Sequence, residues 1–220
     1  INSILYKIRQ PLLEQMPGKP ELQISPSLKS LFTPELKSST LLLWSAIFFG
    51  FLTLYTLLSW VPNIAKDAGM PFEMATYLGA MLNVGSFSGV VVMGLSIRHL
   101  GIRRVIVVFM TLAFFVMVCF GNIALSYTAM FVLTYFIGFL VQGGFNTFYP
   151  AATRIYSEHI RSTGVGLAMG VGRFGAILGP AVFGILTDAG FSLAARFTIF
   201  SVPMLVAAYL AYRIPSKNLD

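Results

Sequence analysis

Charge is scarce in this chain of 220 residues: only 10% are Asp, Glu, Lys or Arg, where soluble domains carry roughly a quarter. Cysteine is scarcer still. Cys119 stands alone inside an apolar stretch, which excludes an intrachain disulfide and a cysteine-built metal cluster. The two histidines, His99 and His159, fall in polar gaps, so neither a metal site nor a cofactor is expected, and no catalytic constellation stands out. No G-x-x-x-x-G-K-[ST] string occurs, and nothing in the chain supports an ATP-driven pump. "GVGRFG" at 170–175 spells a dinucleotide-binding fingerprint. That motif needs a preceding strand in a soluble βαβ unit, whereas here an apolar helical run surrounds it.

What is present is apolar. Hydrophobic residues make up 56% and the mean hydropathy is +0.79, more apolar surface than a water-soluble fold can cover. The formal charge of +7 comes from thinly spread residues, a pattern that points to bilayer orientation rather than to nucleic acid. An all-α polytopic membrane protein is expected, because only helices and closed barrels satisfy their backbone groups in lipid.

Residues 1–40, interrupted by Pro11, Pro17, Pro20, Pro26 and Pro34, read as a polar connecting segment. From Leu41 to 213 the sequence predicts six spans, near 41–62, 73–97, 103–123, 127–149, 163–186 and 191–212, followed by a short tail at 214–220. The gaps carry charges or turn residues, except 121–127, which has no charge. Without a turn there, one helix of some 45 residues would be needed, twice what a bilayer asks. Ile1 stands where a start methionine is normal and no signal segment follows, so the chain is expected to begin inside a longer protein.

Orientation follows from the basic residues. Lys29, Lys37, Arg98, Arg103, Arg104, Arg154, Arg161, Arg213 and Lys217 fall to one side and Lys66 to the other, which predicts that the N-terminal segment and the C-terminus are cytoplasmic. Trp44 and Trp60, near the two ends of the first span, suit interfacial anchors. Gly94, Arg98 and Gly101 close the second span much as Gly184, Asp188 and Gly190 close the fifth, a faint echo of two inverted three-helix repeats.

Arg173 is the most informative residue. It lies mid-way along the fifth span with no acid on neighbouring turns, and a charge at that depth costs about 2.5–3.5 kcal/mol on insertion scales. It should face a water-filled cavity or a partner, as a substrate group or as a tie between helices. Around it runs "GVGLAMGVGRFGAILGP" at 164–180, whose glycines permit close helix approach or bending. Tyr55, Asn83, Gln142 and Asn146 add uncharged polarity inside other spans. Gln142 and Asn146 are four apart and share a helix face, to line a pathway or to bond between helices. Phe145, Phe148 and Tyr149 near them could stack on an aromatic substrate or simply pack. No Asp or Glu lies deep in any span: Glu73 and Asp188 sit at helix ends. A proton-coupling carboxylate would have to come from elsewhere.

Several strings together resemble the major facilitator superfamily, in its C-terminal six-helix half. "GLSIRHLGIRR" at 94–104 is similar to that superfamily's loop motif, with Gly94, Gly101, Arg103 and Arg104 matching and Arg98 at the aspartate position. "IYSEHIRSTGVGLAMGVGRFGAILGP" at 155–180 resembles the tenth-to-eleventh helix region of the aromatic acid:proton symporters through Tyr156, Ile160, Arg161, Thr163, Gly164, Gly166, Gly172, Arg173, Gly175 and Ala176, with Ser157 replacing a proline. "FGFLTLYTLLSWVPNIAKDAG" at 49–69 is similar to the seventh helix of the same family. The resemblance implies symport of small aromatic acids with protons across a bacterial inner membrane, a missing N-terminal six-helix half that carries the coupling acid, Arg173 at the substrate carboxylate, and a closing role for the loops with Arg98, Arg103, Arg104, Glu158 and Arg161. Carriage of a sugar, drug or dicarboxylate, or a non-transporting scaffold or receptor, remain open alternatives.

Overall fold

Among the described residues the structure contains six apolar helical spans. The computed structural model describes residues 28–215, apart from 68, 124 and 125, together with residue 219. The first 27 residues of the expected connecting segment, and Lys217 in the tail, lie outside the described residues. After a 3-10 turn at Leu28–Phe32, the helices are α1 (Lys37–Asp67), α2 (Phe72–Leu100), α3 (Ile102–Asn122), α4 (Tyr127–Asn146), α5 (Phe148–Ile155), α6 (Arg161–Asp188) and α7 (Leu193–Arg213). Tyr127–Ile155 forms one span of two pieces.

Local chemistry sets the boundaries. Gly101 is the one residue between α2 and α3 and adopts φ 80°, while Gly190 after α6 adopts φ 77°; a side chain at either position would be strained. The uncharged gap at 121–127 is a real break, where the Ser126 hydroxyl accepts from the Ala129 amide at 3.3 Å and caps α4. The fourth span runs further than the expected 127–149 because it kinks instead of stopping. Pro150 has no N–H to continue the ladder, and the Thr147 amide turns back to Gly144 O at 3.2 Å, after which α5 carries the chain on. α1 also extends beyond 41–62 at both ends, since hydropathy marks where lipid would lie and not where the helix ends.

Packing follows small residues. A Cβ on Gly175 or Gly179 of α6 would overlap the carbonyl oxygens of Phe48 or Leu52 on α1. One on Gly85 or Gly89 of α2, or Gly138 of α4, would overlap backbone across the α2–α4 contact. Backbones therefore touch along two helix pairs, the kind of contact that holds helices together where lipid offers no hydrophobic driving force. The most extensive contacts are those of α2 with α4, α1 with α6, and α3 with α7. Exchanging α1–α3 for α4–α7 maps α1–α6 onto α4–α2, α1–α7 onto α4–α3, and α3–α7 onto itself. Gly101 and Gly190 occupy matching places at opposite ends, and this pairing pattern is the one that two inverted three-helix repeats would give.

Arg98, Arg103, Arg104, Arg154, Arg161 and Arg213 all lie at the end where α1 begins and α7 finishes, termed the basic end. Lys66 and Arg196 lie at or near the opposite end. α2 and α6 leave broad faces uncovered, with Phe87 75%, Phe174 63% and Ile177 68% exposed.

Candidate functional site

The site is built where α1, α4 and α6 meet. Gly172 of α6 sits against Ile47 and Phe51 of α1, and this close approach brings the neighbouring Arg173 onto the aromatic side chains of α1. Its Nη1 donates to the Tyr55 hydroxyl at 2.6 Å. The guanidinium carbon stands 5.1 Å from the Phe51 ring centroid and 5.6 Å from that of Tyr55, both within cation–π range. Phe51 continues to Phe145 of α4 at 4.5 Å, and Phe145 to Tyr149 at 6.3 Å. Gly50 leaves the space for Phe145, whose ring would crowd a Cβ there at 2.9 Å.

Arg173 is exposed, and no acidic side chain pairs with it among the described residues. A guanidinium has five N–H donors, and a single phenol does not neutralise its charge. The arrangement is a cation held mid-span by an aromatic wall with donors left to offer.

A second polar group borders the same helix, α1. Asn83, Ser86 and Gln142 line a shallow cleft of about 300 Å³ with Leu58, Phe87 and Val90, between α1, α2 and α4. Asn83 Nδ2 donates to Gly79 O at 2.9 Å, so its carbonyl remains for another partner. Asn146 shares the Gln142 face as its spacing predicts, but its amide donates to the Gln142 backbone carbonyl at 2.9 Å within α4. Tyr149 is exposed at 42%. Arg173, Tyr55 and, through Phe145, Tyr149 thus form one group, Asn83 and Gln142 the other.

Of the loop residues, Arg103 and Arg104 stand together beside Arg154, while Arg98, Glu158 and Arg161 lie outside that group. Arg103 Nη2 donates to Ile214 O at 2.8 Å and Arg154 Nη1 to Leu219 O at 2.9 Å, tying the tail to the bundle. Arg161 Nε donates to Tyr156 O at 3.3 Å. Arg98, Arg104 and Glu158 are exposed. Glu73 and Asp188 lie exposed at helix ends.

Trp44 and Trp60, expected as interfacial anchors, also take part in the packing: Trp44 Nε1 donates to the Tyr156 hydroxyl at 3.0 Å, and Trp60 Nε1 to Pro180 O at 3.1 Å. Tyr156, fully buried against Gly164, has its phenol pushed above its usual pKa of 10.0 by burial, with hydrogen bonds to Thr40 and Trp44 pulling the other way. It stays neutral and structural.

Sequence reasoning missed Arg196. It is 7% exposed near the start of α7. Its Nη1 donates to Thr187 Oγ1 at 2.7 Å, and its guanidinium carbon lies 5.3 Å from the Phe183 ring centroid. The signal was available, since Arg196 breaks the apolar run of the sixth span.

Comparison with known proteins agrees with this architecture. The family model of the Major Facilitator Superfamily matches residues 43–219. A gallate transporter of Pseudomonas putida is 29% identical over 87% of this chain and 42% of its own length. A 3-(3-hydroxy-phenyl)propionate transporter of Escherichia coli (strain K12) is 29% identical over 90% of this chain and 49% of its own. The 4-hydroxybenzoate transporter PcaK of Pseudomonas putida is 32% identical over 76% and 38% respectively. The chain spans about half the length of the curated relatives it matches.

Proposed function

The chain belongs to the Major Facilitator Superfamily, and from that premise we propose that it forms one wall of a secondary carrier for small aromatic acids, taken up together with protons. The observation that carries this reading is Arg173: a mid-span guanidinium with no acidic counter-ion, hydrogen-bonded to Tyr55 at 2.6 Å and framed by Phe51. An aryl carboxylate matches both halves of that arrangement. Its two oxygens accept the fork of donors, and its ring lies against Tyr55 and Tyr149, the rings here that keep exposed surface, while Phe51 and Phe145 are buried in the packing. Asn83 and Gln142 supply amides for ring hydroxyls, as the names of the transporters similar to this chain would require of their own sites.

A second six-helix bundle supplies the opposite wall and the coupling acid, since no carboxylate lies deep in these spans. It covers the open faces of α2 and α6, and substrate binds at the midplane between the bundles. The basic end faces the cytoplasm of a bacterial inner membrane. Rocking of one bundle against the other moves the site from one side to the other, and the arginine-bearing loops of the basic end close the inner side.

The test is uptake of labelled 4-hydroxybenzoate into vesicles that carry the protein expressed from its whole gene, with internal pH followed. Saturable uptake with substrate-dependent proton entry is expected. Uptake of a sugar or dicarboxylate in its place would overturn the aromatic-acid reading, and absence of any flux would overturn transport.

A further inference from the structure

The basic end carries a cleft that the transport site does not use. It has a volume of about 760 Å³ and is lined by His99, Arg103, Arg104 and Arg154 with Leu100, Val107, Val108 and Tyr212. No acidic side chain lines it among the described residues. It opens at the N-terminus of α3, where the helix dipole adds to the positive potential. Arg103 and Arg154 each place one donor on a tail carbonyl, which holds their side chains across the cleft. Arg104 is exposed.

The apolar side of this cleft continues. Val108, Leu112 and Phe115 are exposed at 43%, 47% and 56% and follow Arg104 at helical spacing along one face of α3. From Arg104 to Phe115 that stripe runs about 16 Å along the axis. A cationic pocket at one end of an exposed apolar track, at the depth where a span meets water, has the two-part chemistry of a phospholipid: phosphate at the head and acyl chain along the helix. A free anion would use the pocket alone, whereas a phospholipid uses both parts.

We propose that this cleft binds an anionic phospholipid, with the headgroup phosphate on Arg104, His99 and Arg154 and one acyl chain along Val108, Leu112 and Phe115. The site lies on the outer side of α3, away from Arg173, and stands whatever solute the carrier moves.

The experiment is native mass spectrometry of the full-length protein in detergent, titrated with phosphatidylglycerol or with phosphatidylcholine of the same acyl chains. Wild type should retain phosphatidylglycerol over phosphatidylcholine, and Arg104→Gln should cut that retention about fivefold, as expected for one arginine near an anionic headgroup. Arg98→Gln removes an exposed charge at the same end that does not line the cleft, and should leave the preference intact. Inorganic phosphate at millimolar concentration should not displace the lipid. Equal retention of the two lipids would overturn the proposal. So would equal losses in Arg98→Gln and Arg104→Gln, which would mean diffuse charge. Displacement by phosphate would overturn it in favour of a soluble anion.

Discussion

Arg173 and Arg196 sit on neighbouring helices, both within apolar runs, and their surroundings differ in almost every respect. Arg196 is 7% exposed, stacked on Phe183 and bonded to Thr187. Phe183 in turn packs against Trp60 at 5.2 Å and Phe200 at 5.1 Å, so this guanidinium closes a cluster near the opposite end of the bundle and offers nothing outward. Arg173 is exposed in mid-span and held by one phenol and two ring faces. A charge buried among its partners ties helices; a charge presented at an open face, at a depth where it is costly, is the one that the proposed function assigns to the substrate.

The largest effect that tests this contrast is Arg173→Ala. Removing one member of a desolvated charge pair costs about 2–5 kcal/mol, so uptake should fall below detection while membrane insertion, read by surface labelling, is unchanged. Next is Tyr55→Phe, which deletes a hydrogen bond to a charged donor, about 1.5–3 kcal/mol. A rise in KM of tenfold or more, without loss of folded protein, is expected in uptake kinetics.

Gly175→Ala probes the scaffold that holds Arg173 in place. A Cβ there meets the Phe48 carbonyl, an overpacking of about 1–3 kcal/mol, and the apparent Tm of purified protein should drop while Gly166→Ala, which meets nothing within 4 Å, stays near wild type. The smallest effect on uptake belongs to Arg196→Met. It keeps the packing stem but loses the hydrogen bond to Thr187 together with a cation–π contact of about 1 kcal/mol, so the apparent Tm should fall while KM stays within about twofold. If Arg196→Met abolished uptake in folded protein, the contrast between the two arginines would be broken.

The six spans were legible because lipid imposes one rule, long apolar helices, and even the uncharged break before Tyr127 follows from length alone. Arg173 was legible for the same reason, as a charge where charge is expensive. Its pairing with Tyr55, 118 residues away, was not, because it depends on the glycine-mediated approach of α6 to α1. The kink at Thr147 is written in Pro150, yet an apolar window passes over it. Gln142 and Asn146 share a face as their spacing says, but periodicity does not reveal that the Asn146 amide is engaged within its own helix. The tryptophans carried a composition signal for the interface, while their indole N–H bonds to Tyr156 and Pro180 belong to tertiary packing. Arg196 was overlooked because it lies only three residues into its helix, where a basic residue passes for a boundary.

The most direct measurement is equilibrium binding of 4-hydroxybenzoate to the purified full-length protein, wild type against Arg173→Ala and Arg173→Lys. A guanidinium that clamps the carboxylate predicts measurable binding for wild type, none for the alanine variant, and a weakened site for lysine, whose point charge lacks the planar fork. Equal affinity in all three proteins would contradict the account and return Arg173 to a structural role.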